Sequence, residues 1–294
     1  MSEQDAGRGV IAVSGASGAV GGRVAARLAS SGQSQILIVR DRSRAPDLPG
    51  AEVVEASYED ALAMRRALAG AKTYFMVSGG EAADRVRQHV AAVDAAVEAG
   101  VECIVYLSFV NAGPDATFTF ARDHWHTEEH VREVGVRHTF LRDSMYMDFL
   151  PALAGADGVI RGPAGEGRVG AVARDDIADV AVAVLLGDGH DGRTYDVTGP
   201  QAITLYQVAE ELSLVTGRSV TYHEETLDEA YESRSSYGAP DFEVEGWVTS
   251  YAAIATGELD VVSDTVSRLT CHPPTALADF LRQNPESYEH LLGA

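Results

Sequence analysis

Val10-Ile11-Ala12-Val13-Ser14-Gly15-Ala16-Ser17-Gly18-Ala19-Val20-Gly21-Gly22, followed after a helix-like segment by Ile36-Leu37-Ile38-Val39-Arg40, is the stretch that decides the fold. The first β-branched run has the length and composition of a buried parallel strand. Val20, Val24 and Leu28 then recur at helical spacing, which places the glycines at a strand-to-helix turn. Gly15 lets the chain turn sharply off the strand, Gly18 keeps a Cβ away from a phosphate approaching the backbone, and Gly21 lets the helix lie close to the sheet. The helix start offers free N–H groups and partial positive charge to a pyrophosphate, with Ser17, Ala19 and Val20 beside the glycines. The spacing is G-x-x-G-x-x-G, and no Lys-Ser/Thr pair closes it as in a Walker A loop. Strand, turn, helix and second strand together predict a dinucleotide-binding α/β fold.

The end of the second strand bears on which dinucleotide. An acidic side chain there accepts from a ribose diol, whereas basic side chains accommodate a 2′-phosphate. The strand runs into Arg40-Asp41-Arg42-Ser43-Arg44. Arg40, with Arg42 or Arg44 assisting, suits NADP(H). Asp41 suits NAD(H), and a solvated loop balancing Asp41 and Asp47 is the plain alternative.

The 294-residue chain is long enough for a large core, alone or with a smaller lobe. Its net charge of −21 disfavours direct binding to nucleic acid, whose backbone attracts positive surface. A regulator acting through a protein partner is not excluded. Cys103 and Cys271, far apart and in apolar sequence, give neither a disulfide scaffold nor a metal cluster and suit a reducing interior. No basic leader precedes an apolar run, and no span nears the ~20 apolar residues that cross a membrane. These features predict a cytoplasmic protein that is a monomer or homodimer.

Further strands are expected at 52–55, 73–77, 104–107, 138–142, 194–197 and 220–222. The strand at 73–77 delivers Ser78 and Gly79, a small strand end suited to the nicotinamide ribose and inner phosphate. His89, on the helix that follows, reads as solvated or capping. Tyr58 reads as an edge contact at most. Ser108, at the carboxyl end of the fifth strand, is placed to bond a substrate or the nicotinamide region, or equally to cap a helix or satisfy a strand-end amide.

The segment His124-Trp125-His126-Thr127-Glu128-Glu129-His130 places His126 and His130 on one helical face. It does not match H-E-x-x-H, because no glutamate follows His126 directly, and a solvated amphipathic helix is expected with no metal. His124, at the helix start near the crevice, is a candidate proton donor or carbonyl-orienting group. Tyr146 belongs to a run, Met145-Tyr146-Met147-Asp148-Phe149, suited to a flat, largely apolar substrate. Residues 155–170 read as a glycine-rich loop or short hairpin. Asp60, Thr204 and one of Asp175 and Asp176 read as helix caps. The organisation expected is a dinucleotide-binding domain over 8–155 and a substrate lobe over 156–294, with 171–200 returning to the first domain.

The ordered set S-G-A-S-G-x-V-G, V-R after the second strand, Ser78-Gly79, S-F at 108–109, H-x-x-x-E at 124–128, L-R at 141–142, R-D-D-I-A at 174–178 and H-P-P-T-A-L at 272–277 resembles the NmrA-like group of atypical short-chain dehydrogenases/reductases. Within that group it is most similar to bacterial NAD(P)H:quinone oxidoreductases of type 2. The resemblance runs from about Val10 to Leu281. It implies a Rossmann-like, doubly wound parallel sheet with a smaller C-terminal α/β lobe. It also implies hydride transfer from NAD(P)H to a quinone or related conjugated carbonyl compound. The group contains redox-sensing regulators that bind the dinucleotide without turning it over, so the fold alone does not fix activity. The Tyr and Lys four residues apart that ordinary short-chain dehydrogenases use are absent here. For a quinone, positioning and exclusion of water carry most of the catalysis. Ser108, His124 or Tyr146 would supply the donor to the developing oxyanion.

Overall fold

The computed structural model describes residues 9–292. It runs β1 (Val10–Ser14), α1 (Ala19–Ser30), β2 (Gln35–Val39), β3 (Ala51–Glu55), α2 (Ala61–Ala67), β4 (Ala71–Val77), α3 (Arg85–Glu98), β5 (Cys103–Phe109), α4 (Thr119–Glu133) and β6 (Arg137–Asp143). It continues through β7 (Val159–Gly162), α5 (Arg174–Leu186), β8 (Arg193–Val197), α6 (Leu205–Thr216), β9 (Thr221–Glu224), α7 (Leu227–Ser235), α8 (Asp241–Ala255), α9 (Thr265–Thr270) and α10 (Leu277–Gln283). Seven strands form one sheet in the order β3-β2-β1-β4-β5-β6-β8. The chain steps outward from β1 to β3, then returns beside β1 with β4, so the β1–β4 pair is the topological switch point. At that position doubly wound sheets bind ligands beyond the strand ends. β1 pairs in parallel with both neighbours, Val13 opposite Leu37 on one side and Phe75 on the other.

Two compact units divide the chain. One holds the described residues up to Phe109 together with Asp123–Arg142 and Ile177–Tyr195. The other holds Val110–Arg122, Asp143–Asp176 and the described residues from Asp196 onward.

In the first unit, β1 and β2 are apolar on both faces, as strands covered by helices on both sides must be. Val20, Gly21, Val24, Ala25 and Leu28 form the buried face of α1. A cluster including Met64, Leu68, Tyr74, Met76, Val93, Ile104, Tyr106 and Phe140 fills one side of the sheet. The Asp60 carboxylate caps α2 by accepting from Ala63 N at 2.9 Å, as the sequence predicts. Leu62 on the same helix is exposed.

In the second unit, β7 pairs in parallel with β9, Ile160 opposite Tyr222. The 155–170 segment therefore carries a strand whose ladder partner lies far along the chain, entered through a tight turn with an antiparallel bridge between Ala154 and Ile160. Thr204 caps α6 in a reciprocal box with Gln207, as its hydroxyl suggests. Phe120 packs where a Cβ on Gly246 of α8 would stand. Cys271, expected in apolar surroundings, is exposed, and Cys103 is half-buried; both are free thiols.

Candidate functional site

The turn after β1 has the backbone its glycines imply. Gly15 adopts φ +63°, in the left-handed region. The Gly18 N–H donates to the Gly15 carbonyl at 2.8 Å, closing the turn before α1 begins. A Cβ on Gly21 would overlap that same carbonyl oxygen, so only glycine lets α1 approach the strand end this closely. Gly18 is the N-cap and provides no side-chain cap, and the first turn of α1 contains no acidic residue. Gly15, Gly18 and Ala19 are exposed, Ser17 is half-buried, and Val20 packs inward. An uncapped helix start with its partial positive charge and a surface cleared of side chains fits a pyrophosphate.

Arg40 follows β2 directly and is exposed, and Arg42 and Arg44 lie exposed on the short 3-10 turn Arg42–Arg44. Asp41 caps that turn. Its Oδ1 accepts from Ser43 N at 2.9 Å and Ser43 Oγ at 2.7 Å. Those bonds, aided by Arg44, hold the Asp41 carboxyl below its usual range. The acid that would accept from an NAD ribose is thus engaged locally, beside three exposed guanidinium groups.

Tyr58 is more than an edge contact. Its hydroxyl donates to the Val77 carbonyl at 2.6 Å and lies 2.5 Å from Ser14 Oγ. Ser14 Oγ accepts from Val77 N at 3.1 Å, which ties the last residue of β1 to the last of β4. Just beyond stands Gly79. Its N–H donates to His89 Nε2 at 2.8 Å, and its carbonyl accepts from Arg85 Nε at 3.0 Å.

His89, expected at the surface, is fully buried. Its Nδ1 lies 2.9 Å from Thr127 Oγ1, which donates to the Asp123 carbonyl at 2.8 Å. Tyr106 Oη lies 2.9 Å from Nδ1 of His124, and Arg85 Nη2 lies 3.1 Å from Nε2 of His124. Arg85 Nη1 is 3.6 Å from the Asp123 carboxylate. Burial and the neighbouring Arg85 push His89 down to about 3 and hold His124 well below the usual imidazole range. Both rings are therefore neutral at pH 7. The candidate proton donor His124 sits inside the first unit with both ring nitrogens engaged.

Ser108 is also inside, and neither caps a helix nor satisfies a strand-end amide. Its hydroxyl donates to Glu128 Oε1 at 2.6 Å. Arg142 grips the same carboxylate in a fork, Nε to Oε1 at 2.8 Å and Nη2 to Oε2 at 2.7 Å. Arg132 adds a contact at 2.9 Å. The segment expected to be a solvated helix thus buries Ala121, His124, Thr127, Glu128 and Val131. His130 pairs with Asp94 at 2.7 Å.

In the second unit, the Tyr146 hydroxyl donates to Asp143 Oδ2 at 2.9 Å. The Arg174 guanidinium lies 4.8 Å from the ring centres of both Tyr146 and Phe149, and Nη1 bonds Asp148 Oδ1 at 2.8 Å. Phe149 keeps 51% of its surface exposed, an aromatic face beside a cation.

The sequence reading passed over Arg85, took His89 for a solvated or capping residue, and gave Tyr106 no role. The signal for the first two was present: Arg85, His89, Ala92, Val93 and Ala96 recur at helical spacing on one face of α3, whose other members are apolar.

The pattern of the NAD(P)H-binding family matches residues 15–188. A reductase of Streptomyces griseus, named (4-alkanoyl-5-oxo-2,5-dihydrofuran-3-yl)methyl phosphate reductase, is 36% identical, the match spanning 95% of this chain and 99% of that one. A solved NADPH-dependent quinone oxidoreductase of Escherichia coli, complexed with NADPH, superposes with a TM-score of 0.85 at 32% identity, covering 93% of this chain and 99% of the other. NmrA, a negative transcriptional regulator solved with NADP, superposes with a TM-score of 0.77 at 18% identity, covering 98% of each chain, and shares the fold.

Proposed function

This chain belongs to the NAD(P)H-binding family, and on that premise we propose that it is an NADPH-preferring reductase of quinones or related small conjugated carbonyl compounds. The observation that carries the reading is the uncapped start of α1 at the switch point, cleared by Gly15, Gly18 and Gly21. Those glycines, with Ser17, Ala19 and Val20, would hold the pyrophosphate. Arg40, Arg42 and Arg44 would pair with a 2′-phosphate, which the local engagement of Asp41 supports. Ser78 and Gly79 would line the nicotinamide ribose. When bound, the cofactor supplies a hydride.

The residues of the chain contribute orientation and a proton. Ser108 and His124 act by fixing the strand and helix ends around the site, since both are buried and hydrogen-bonded. Tyr146 would lend a proton to a reduced carbonyl oxygen, and its bond to Asp143 and the Arg174 guanidinium over its ring support that role. The Streptomyces griseus relative is named for a conjugated oxo-dihydrofuran and the Escherichia coli neighbour for quinones, which supports a conjugated acceptor. A cytoplasmic location is part of the reading, and two free thiols support it. Among the described residues no helix is long and apolar enough to cross a membrane.

Stopped-flow oxidation of NADPH against a panel of quinones and enones tests the proposal. Turnover of at least one conjugated acceptor is expected. Tight NADPH binding with no turnover across the panel would replace it with a non-catalytic sensor that works through a protein partner.

A further inference from the structure

Elimination locates the protons around Gly79. A backbone N–H can only donate, so His89 Nε2 accepts from Gly79, and the neutral ring must carry its proton on Nδ1. Thr127 Oγ1 spends its own proton on the Asp123 carbonyl and so accepts from His89 Nδ1. A guanidinium likewise only donates, so Arg85 gives a proton to Nε2 of His124, whose Nδ1–H then points at Tyr106 Oη. Tyr106 Oη accepts that proton and lies 3.4 Å from His89 Nδ1. Arg85 closes the circuit by donating through Nε to the Gly79 carbonyl. The two imidazoles, Arg85 and the Thr127 hydroxyl each have one workable orientation, and the circuit begins and ends on the two successive peptides that meet at Gly79.

We propose that Arg85 and His89 are positioning residues that clamp the two peptides meeting at Gly79 for the dinucleotide, with Thr127, Tyr106 and His124 locking the proton pattern of the clamp. The inference rests on the NAD(P)H reading above. Gly79 lies two residues beyond Val77, against which a Cβ on Gly15 would press, so it stands at the crevice of the β1–β4 switch point. Released from Arg85, the 79–80 peptide could rotate and put its carbonyl on the side its N–H now occupies. The side chain at 79 is limited as well, because a Cβ would stand 3.3 Å from His89 Nε2 and 3.5 Å from Tyr58 Cδ2. Arg85, Asp123, Tyr58, Tyr106 and His124 are the ionisable groups around His89.

The test pairs His89→Phe, which removes the acceptor, with His89→Gln, whose Oε1 can replace Nε2. NADPH dissociation constants are read by fluorescence titration of the full chain. His89→Phe should weaken NADPH about tenfold, the equivalent of one well-placed hydrogen bond, while His89→Gln stays within about threefold of the wild type. With a competent acceptor the loss should fall on KM for NADPH and not on KM for the acceptor. His89→Phe binding like the wild type, or His89→Gln as weak as His89→Phe, overturns the clamp alone. A wild-type protein that binds no NADPH overturns the underlying reading and the clamp with it. Long-range proton–nitrogen NMR on the wild type needs no variant to fold. At pH 7 it should show both His89 and His124 neutral with the proton on Nδ1, and an imidazolium or an Nε2–H tautomer at either residue refutes the scheme.

Discussion

Replacing Glu128 by glutamine keeps the shape of the side chain and removes its charge, in a place where that charge has three partners. The carboxylate is fully buried, takes the Arg142 fork at 2.8 and 2.7 Å, and accepts from Ser108 at 2.6 Å. Glutamine can still accept from Ser108 and one nitrogen of Arg142. Its amide nitrogen then faces the donors of Arg142 and Arg132 in place of Oε2, and a guanidinium with 21% of its side chain exposed loses its counter-charge. Breaking a buried pair from one side costs about 3–5 kcal/mol. Arg132 contributes little to this sum, because 38% of its side chain is exposed and solvent screens it. A destabilisation of 1 kcal/mol lowers Tm by about 2–4 °C in a chain of this order, so Glu128→Gln should melt roughly 10 °C lower by calorimetry. The double variant Glu128→Leu with Arg142→Met should recover most of that loss, since an apolar pair avoids desolvating two ions. A fall under about 3 °C for Glu128→Gln, or no recovery in the double variant, would refute the assignment of this cluster as the anchor of β5 and β6 on α4.

Arg40→Ala should weaken NADPH about tenfold more than NADH, and equal losses by isothermal calorimetry would return the three arginines to the role of a solvated loop. Tyr146→Phe keeps the ring beside Arg174 and removes the proton; turnover should fall by about a hundredfold with NADPH affinity unchanged, and unaltered turnover removes Tyr146 from the chemistry. The folded value of His89, about 3, lies below its unfolded value. Its stabilising contribution is whole above pH 6.5 and is lost as pH falls from there toward 3. Between pH 7 and 5 that amounts to about 2 kcal/mol, so His89→Gln should flatten the dependence of unfolding free energy on pH by this amount. Parallel curves for variant and wild type would contradict a buried neutral imidazole.

Strands β1 to β6 and the glycine turn were readable because continuous apolar runs and a turn that needs glycine are local signals. The polar interior was not. Arg85 and His89 on α3, and Thr127 and Glu128 on α4, are residue types that face water unless partners on other elements satisfy them, and those partners lie far away in sequence. The helical stripe containing them was present, but its polar members hid it within a segment rich in histidine and glutamate. β7 escaped for a different reason. Four residues amid glycines, paired with β9 some sixty positions later, carry no local mark of a strand. Tyr58 and Ser14 show the same limit at a smaller scale, since a link between strand ends depends on a fold already formed.

The first unit is written in three separate pieces of chain, and the last of them, Ile177–Tyr195, brings most of α5 and the opening of the edge strand β8. During synthesis from the N-terminus the glycine turn after β1 is made almost at once, yet the sheet behind it lacks an edge strand until nearly two-thirds of the protein has emerged. No contiguous fragment reproduces this unit without also carrying pieces of the other. Shuffling one of the two units between relatives would have to respect each crossing.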